Sequence, residues 1–184
     1  MKYPFDHIII GGGSAGLSLA SATAQIGLKV LLIDQEKLGG DCLHHGCVPS
    51  KALIKSAKIN HLISHSKDYG INLKTIAKDP ASWQHVTQRI KDIQADIQKH
   101  DSPERFRKMG AEVIFGNAHL VDKNTVSIEL NPELKDQQKI PENVKKEGQN
   151  VIAQAKYITI ATGSRPRVLN IPGLKEAHPI TNEQ

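Results

Sequence analysis

The sequence predicts an α/β fold in which a central parallel sheet is joined by a small antiparallel β-meander. An apolar run at residues 5–10 leads into a glycine-rich turn and a helix-like stretch, and a second apolar run follows at 29–33. From residue 111 onward, short strand-like runs follow one another without intervening helices. A strand–helix–strand order favours a parallel sheet, whereas consecutive strands favour antiparallel pairing.

Composition indicates an ordinary globular protein. The chain has 184 residues, of which 39% are hydrophobic and 23% charged, enough for one domain with a sizeable core. Aromatic residues make up only 4%, which argues against base-stacking platforms and carbohydrate clefts. The net charge of +5 suits an anionic ligand, but the lysines are scattered, so we expect no nucleic-acid partner.

Location is predicted from what the sequence lacks. No apolar run reaches the roughly 18 residues of a transmembrane helix, so we expect no membrane association. The N-terminal apolar run is interrupted by Asp6 and His7 and lacks a cleavage pattern, so it does not resemble a signal peptide. We therefore expect a cytoplasmic protein, in which a cysteine pair is more often catalytic than structural.

The first strand, helix and second strand carry a dinucleotide-binding pattern. The strand 5–10 ends at a G-x-G-x-x-G turn, a helix is predicted over 14–26 with Gly27 ending it, and Asp34 follows the strand 29–33. The pattern assigns the pyrophosphate to the turn and helix N-terminus, and the ribose hydroxyls to Asp34. The candidate binding residues of the turn are Gly11, Gly13, Ser14, Ala15 and Gly16.

Both cysteines lie in the segment Gly39–Lys51, GGDCLHHGCVPSK, which we call the cysteine block. Gly46 permits a tight turn between Cys42 and Cys47, and Pro49 suits the first turn of a helix. We therefore predict both cysteines at or just before a helix N-terminus, where the dipole favours a thiolate. A redox-active dithiol so close to Asp34 favours FAD over NAD as the dinucleotide.

Two other interpretations of the cysteine block are weaker. A structural disulfide between Cys42 and Cys47 would close a very short loop, which removes little entropy from the unfolded chain. Zinc would need Cys42, His44, His45 and Cys47 to converge within six residues, without the paired spacing of zinc knuckles. We assign no metal ligands.

Three more helices are predicted. The helix that opens near Pro49 continues after Lys51 to about His65, with Leu53, Ala57 and Leu62 facing inward. The second spans 82–100, because its apolar residues recur at helical spacing at Val86, Ile90, Ile93 and Ile97. The third is short, with Asp101 or Ser102 as N-cap, Pro103 first, and Met109 and Gly110 at its end.

The remaining elements are strands at 112–115, 118–121 and 125–130, a long mobile hairpin loop at 131–150, pairing again from Val151, and a buried strand at 156–161. The last strand ends in a second glycine turn, Thr162-Gly163-Ser164. Turns at the carboxyl ends of parallel strands gather around the ligand crevice, so we expect this turn near the cofactor. Pro166, Pro172 and Gly173 predict an extended exit.

Taken together, GGGSAG, Asp34, the cysteine block, HDSPERFRKMGAEVIFG and IATGSRP resemble the amino-terminal part of the flavoprotein disulfide reductases of the pyridine nucleotide family. The resemblance covers nearly the whole chain and is greatest to the dihydrolipoamide dehydrogenase and mercuric reductase branch. It implies a Rossmann-like FAD-binding domain that uses FAD, with NAD(P)H in the complete enzyme.

The resemblance also implies residue roles. Cys42 corresponds to the thiol that attacks substrate, Cys47 to the thiol that lies against the flavin, and Lys51 to the lysine near the reactive flavin nitrogen. The implied FAD-binding residues beyond the first turn and Asp34 are Gly40, Asp41, Gly116, Ala118, Ala161, Thr162 and Gly163. Many relatives have Thr at position 41, and an extra carboxylate there would repel the phosphates unless it is paired or turned away.

The family chain is more than twice this long. The resemblance therefore implies that residues 1–184 are an incomplete FAD-binding domain without the NAD(P)H-binding and dimerisation domains. In one hypothesis, electrons pass from NAD(P)H through FAD to a Cys42–Cys47 disulfide, and then to a small-molecule disulfide or Hg(II), in the full-length homodimer. In the other, the chain alone is a non-catalytic, monomeric dinucleotide-binding module.

Overall fold

The computed structural model describes residues 3–73, 82–137, 139–148 and 150–183. The chain forms two compact units, each built from two stretches of sequence. We call Met1–Gly40 with His100–Leu169 the sheet unit, and Asp41–Lys99 with Asn170–Gln184 the helical unit.

The parallel part of the sheet is built from two short strands and parts of two long ones. The strands are β1 (Phe5–Ile10), β2 (Val30–Asp34), β3 (Ala111–Asp122) and β6 (Asn150–Ile160), in the order β3-β2-β1-β6. In the register, Ile10 lies between Ile33 and Ile160. The carboxyl ends of β1, β2 and β6 therefore meet at one edge of the sheet, as the sequence predicted.

The antiparallel part continues the same long strands. β3 leaves β2 after Phe115 and pairs with β4 (Thr125–Leu130), and β4 pairs with the first half of β6. Because β6 also pairs with β1, these five strands close on themselves, and β5 (Lys145–Glu147) adds to β6. The predicted parallel sheet and β-meander are thus confirmed, and they share strands.

Two apolar cores cover the two faces of the parallel sheet. On one face, α1 (Ser14–Gln25) and α5 (Pro103–Lys108) pack on the sheet through Leu17, Ala20 and Phe106. On the other face, the β-meander packs through Val126, Ile128 and Val151. Burying both faces explains why β1 and β2 are nearly continuous apolar runs.

The helical unit holds α2 after its first residue (Gly40–His44), α3 (Cys47–Ser64), a 3-10 turn at Ser66–Tyr69 and α4 (Trp83–Gln98). α3 and α4 pack against each other. Ser82 caps α4 by accepting a hydrogen bond from the His85 amide, and Ser102 caps α5 in the same way through the Arg105 amide. The apolar stripe predicted on α4 is its half-buried side: Val86, Ile90, Ile93 and Ile97.

The predicted inward face of α3 is wrong. Leu53, Ala57 and Leu62 are exposed, and the covered side instead carries Ala52, with Ser56 and Asn60 half-buried. Small residues four positions apart allow close packing, so they face the neighbouring helix while larger apolar side chains remain outside. The helix begins at Cys47 and holds Pro49 in its first turn, as the sequence predicted.

Two strand predictions and one loop prediction also need correction. The runs at 112–115 and 118–121 are one strand, β3, because Gly116 continues the strand instead of breaking it. The stretch predicted as a buried strand at 156–161 is the exposed second half of β6, which pairs there with β1 alone among the described strands. The predicted loop at 131–150 contains a 3-10 turn at Pro132–Gln137 and β5; Gln138 and Gln149 lie outside the described residues.

Candidate cofactor and dithiol sites

The turn between β1 and α1, Gly11–Gly16, needs glycine at its first and last positions for steric reasons. Gly11 has φ +111°, and a Cβ there would overlap the carbonyl of Ala161. A Cβ on Gly16 would overlap the carbonyl oxygen of Gly11, so glycine lets α1 start directly against the end of β1. The amide of Gly11 donates a hydrogen bond of 2.7 Å to the carbonyl of Ile33, which ties the turn to β2.

Gly13 has no such steric requirement. Its φ is −83°, and a Cβ would meet only the Gly40 Cα, at 3.7 Å. Gly13 is the N-cap of α1 and has no side-chain oxygen to offer the first-turn amides, and Ser14 and Ala15 are exposed. Uncapped amides and the positive end of a helix dipole together favour an anion such as a phosphate.

Asp34 ends β2 beside this turn. Its Oδ2 accepts a 2.7 Å hydrogen bond from the Gly12 amide, and its Oδ1 accepts bonds from the amides of Glu36 (3.1 Å) and Lys37 (3.2 Å). A carboxylate offers about four acceptor positions. Three are used here, so Asp34 has one left, on Oδ2, for a ribose hydroxyl.

Gly12 is a site residue that the sequence analysis missed. A Cβ there would lie 2.5 Å from Leu38 Cδ2 and 3.0 Å from Asp34 Oδ2. Glycine at this position therefore lets the Asp34 carboxylate reach the backbone of the turn. Gly12 occupies the first variable position of the G-x-G-x-x-G motif, which permits any residue. Its place directly after Gly11 was therefore the only signal in the sequence.

The other predicted binding residues of the sheet unit lie at the same edge. Gly40 has φ +58°, and a Cβ there would lie 2.6 Å from Gly13 Cα. The Ala161 amide donates a 2.7 Å hydrogen bond to the carbonyl of Ile10, and Thr162 and Gly163 follow directly. Gly163 has φ +68°.

Gly116 follows Phe115, the residue that pairs with Asp34. At this point β3 stops pairing with β2 and begins to pair with β4. A Cβ on Gly116 would overlap the carbonyl oxygen of Glu129 on β4, so glycine is needed for strand pairing. Ala118 packs against the core beneath the β-meander. Their backbone is therefore fixed by the fold, whatever they bind.

The two cysteines lie in the helical unit as free thiols. Cys47 is exposed and is the first residue of α3, as predicted, whereas Cys42 is half-buried within the short helix α2. The two side chains are near enough for Cys47 to raise the pKa of Cys42. Thiols that lie this close need only a modest movement to form a disulfide.

The surroundings of Cys42 oppose its ionisation. Its pKa is raised above the usual thiol value, first by the hydrogen bond with Cys47, and then by burial and the negative charge that Cys47 can carry. The nearby Asp41 carboxylate raises the pKa of Cys42 further. Cys42 is therefore held as a thiol beside its partner.

Hydrogen bonds within the cysteine block and hydrogen bonds from α4 hold the backbone between the cysteines. The carbonyl of Asp41 accepts hydrogen bonds from the amides of His45 (2.8 Å) and Gly46 (2.6 Å). From α4, the Gln94 side-chain amide donates to the carbonyls of Leu43 and His44, both at 2.9 Å. Gln94 is a supporting residue that no sequence motif indicated.

Lys51 and the histidines of the block lie around this pair. Lys51 is exposed and follows Cys47 by four residues on α3, so the two share one helix face. The ring centroids of His44 and His45 are 6.2 Å apart. Within the described ranges, no three His, Cys, Asp or Glu side chains converge as a metal site would require.

The fold and these residues define a class of protein: an α/β protein with a dinucleotide-type glycine turn and two neighbouring free thiols. The family model for pyridine nucleotide-disulphide oxidoreductases matches residues 5–183, and the chain belongs to this family. The predicted resemblance and the α/β fold class are thereby confirmed. The family uses FAD and NAD(P)H.

The chain is similar to curated proteins of two kinds, dihydrolipoyl dehydrogenases and mercuric reductases. The chain is 35% identical over 177 residues to a dihydrolipoyl dehydrogenase of Rhizobium etli, covering 95% of this chain and 35% of the relative. It is 29% identical over 181 residues to a mercuric reductase of Bacillus cereus, covering 98% of this chain and 25% of the relative. The chain thus spans about a third or less of these relatives.

A solved structure with the same fold is a HOCl-induced flavoprotein disulfide reductase from Escherichia coli in its Cu(II) complex. It matches with a TM-score of 0.67 at 24% identity, over 94% of this chain and 31% of that one. Within the part of the chain that the structure describes, no helix has both the length and the apolar character to cross a membrane.

Proposed function

We propose that residues 1–184 are the FAD-binding part of an NAD(P)H-dependent flavoprotein disulfide reductase, with Cys42 and Cys47 as its redox-active pair. The observation that carries this proposal is that α2 and the start of α3 hold the two cysteines as free thiols, near enough for Cys47 to raise the pKa of Cys42. A structural bridge would have no use for so short a loop, whereas a dithiol that cycles needs its sulfurs in contact.

The residues of the sheet unit fit FAD. The first-turn amides of α1 suit its pyrophosphate, and the remaining acceptor position of Asp34 suits a ribose hydroxyl. Gly116 and Ala118 would contact the adenine through backbone atoms, and Gly40 with Ala161, Thr162 and Gly163 would complete the site. FAD supplies the means to pass an electron pair between NAD(P)H and a pair of thiols.

The two cysteines have different tasks in this proposal. The more exposed Cys47 would face the flavin, and Cys42 would attack the substrate. In one cycle the dithiol becomes the Cys42–Cys47 disulfide, and its two electrons and two protons convert an acceptor disulfide into two thiols. Alternatively, the two electrons reduce Hg(II) to the metal. Lys51 would lie near the reactive edge of the flavin.

The relatives support both acceptors, because those of similar identity are named dihydrolipoyl dehydrogenases and mercuric reductases. We place the reaction in the cytoplasm, where reductants keep thiols available. A second candidate function is a dinucleotide-binding module without turnover, favoured by the glycine turn and Asp34, which need no thiol to hold a dinucleotide.

A visible absorption spectrum, recorded before and after the chain is incubated with FAD and desalted, tests the proposal. We expect retained flavin bands that change shape when dithiothreitol reduces the cysteines, and no such change in a Cys47→Ser variant. Retained flavin without any thiol-dependent change would favour the non-catalytic module. A chain that takes up no FAD would contradict the proposed cofactor site.

Gly13→Ser is a matched variant for the same experiment. Its hydroxyl can accept hydrogen bonds from the first-turn amides of α1 and meets no crowded atoms, so the fold should be kept or slightly stabilised. The same hydroxyl would compete with the phosphates for those amides. We expect weaker FAD uptake at unchanged thermal stability.

A further inference from the structure

Asp41 precedes Cys42 and is held in place by the backbone on one side and by a side chain on the other. Its carbonyl accepts the amide hydrogens of both His45 and Gly46. Its Oδ1 accepts a 2.9 Å hydrogen bond from the side-chain amide of Asn182. Asn182 belongs to the helical unit, and nothing in the sequence marked it as a partner of the cysteine block.

The Asp41 side chain also rests against the turn between the cysteines. A Cβ on Gly46 would lie only 2.8 Å from Asp41 Oδ2 and 3.1 Å from the Asp41 carbonyl oxygen. Gly46 is the N-cap of α3 and leads directly into Cys47. A glycine therefore allows the carboxylate to lie over the turn that brings the two thiols together.

The charge at this position has an electrostatic consequence. A carboxylate beside a thiol disfavours the thiolate. The other titratable side chains of the cysteine block are His44, His45 and Lys51; α4 contributes the neutral Gln94, and Glu183 follows Asn182 on the segment that contacts Asp41. Asp41 directly precedes Cys42, and its negative charge makes the smallest of the contributions that raise the pKa of Cys42.

We propose that Asp41 is a positioning residue of the dithiol: clamped by Asn182 and Gly46, its carboxylate fixes the turn between the cysteines and places a negative charge directly beside Cys42. The inference rests on the proposed redox role of Cys42 and Cys47 and adds a residue that controls it. It also gives Asp41 a role within the helical unit that does not require contact with cofactor phosphates.

The rate of alkylation by iodoacetamide, measured from pH 6.5 to 10 with each cysteine followed by mass spectrometry, tests this role, because only thiolates react. Asp41→Asn keeps the shape and can still accept the bond from Asn182. We expect the Cys42 profile of this variant to move to lower pH, with a rate about two- to fivefold higher at pH 8. The plateau at high pH should stay the same, since access to the thiol is unchanged.

Asp68→Asn is the matched control. It removes one negative charge from the same unit, beyond the far end of α3, which at 18 residues is about 27 Å long. Its profile should superimpose on that of the parent chain. An Asp41→Asn profile that also superimposes, or that moves to higher pH, would overturn the inference; so would a change in the plateau alone, which indicates a structural effect.

Equilibration with glutathione separates this inference from the proposed function. Two glutathione molecules supply the two electrons and two protons that reduce the Cys42–Cys47 disulfide, and become oxidised glutathione. The parent and Asp41→Asn chains should show equal dithiol fractions at pH 6. Above pH 8 the variant should hold more dithiol, because its thiolate stabilises the reduced form.

A difference that is the same at every pH would contradict an electrostatic role for Asp41. If no Cys42–Cys47 disulfide forms at any glutathione ratio, the proposed redox function fails, while the alkylation profiles still decide the role of Asp41.

Discussion

At the scale of single residues, the glycines of the first turn have two separable tasks. Gly16 is required because its missing side chain leaves room for the carbonyl of Gly11, whereas Gly13 has free space and an ordinary φ. One motif thus combines a packing requirement with a binding requirement. Substitutions at the two positions should therefore give different results.

For Gly16→Ala we expect a loss of roughly 3 kcal/mol in the free energy of unfolding, because the added methyl forces α1 away from the end of β1. Urea denaturation followed by circular dichroism measures this loss. Ala15→Ser, at the preceding exposed position, is the control and should change little. A Gly16→Ala chain as stable as its parent would show that the turn can relax around a Cβ.

His7 predicts a pH dependence of stability. It is buried in β1, and its Nε2 is 2.8 Å from Thr159 Oγ1. Burial lowers its pKa below the ordinary 6.5, so the unfolded chain binds a proton more readily than the folded chain. The contribution of His7 to stability is therefore complete above pH 6.5 and is lost as the pH falls below that value.

We expect the free energy of unfolding to fall by up to about 1.4 kcal/mol per pH unit below 6.5 from this group alone. Unfolding curves recorded between pH 5 and 7.5 give the slope, and His7→Gln should flatten it in the upper part of that range. An unchanged slope in the variant would assign the effect to other groups.

At the scale of elements, the cysteine block depends on α4 as well as on its own residues. The Gln94 amide donates to two carbonyls at the end of α2, a place where helix carbonyls generally need partners from outside the helix. α4 is thus both an amphipathic helix and a cap for the segment that carries Cys42.

Replacing Gln94 by Ala should cost about 1–2 kcal/mol of local stability, because two carbonyls lose their donors. Hydrogen exchange of the amides in residues 40–47, followed by mass spectrometry, should show faster exchange. Gln88→Ala on the same helix is the control, since the Gln88 amide bonds only the exposed Asp92. Equal exchange in both variants would mean that α2 does not need Gln94.

At the scale of the whole molecule, the two units differ in how much they bury. Two apolar cores lie in the sheet unit, whereas the described residues of the helical unit bury only Leu43, Ala52 and Ser66. Much of the apolar surface of α3, including Ile54 and Ile59, is exposed. Segments with few buried contacts open more readily than core strands.

We therefore expect amides of α3 and α4 to exchange hydrogen at least about tenfold faster than those of β1 and β2 under native conditions. Native-state exchange read by mass spectrometry tests this in the parent chain. Equal protection of helices and strands would show that the chain opens as one cooperative unit.

Local rules were sufficient for the elements with strong periodic or capping signals. The stripe on α4, the Ser102–Pro103 start of α5 and the ends of β1 and β4 follow from the order of neighbouring residues alone. Where long-range pairing decides, the same rules failed. Gly116 resembled a break but continues β3, because β4 needs the space that its missing side chain leaves.

The sequence by itself determined the family, the α/β class, the glycine turn with Asp34 and the place of Cys42 and Cys47 in one short block, because these depend on residue type at short spacing. Only the tertiary structure decided which face of α3 is covered, that β6 is exposed in its second half, and that Gln94 and Asn182 support the cysteine block. Those facts depend on which distant segments meet, and neither burial nor a hydrogen bond across 50 or 141 residues leaves a local pattern in the chain.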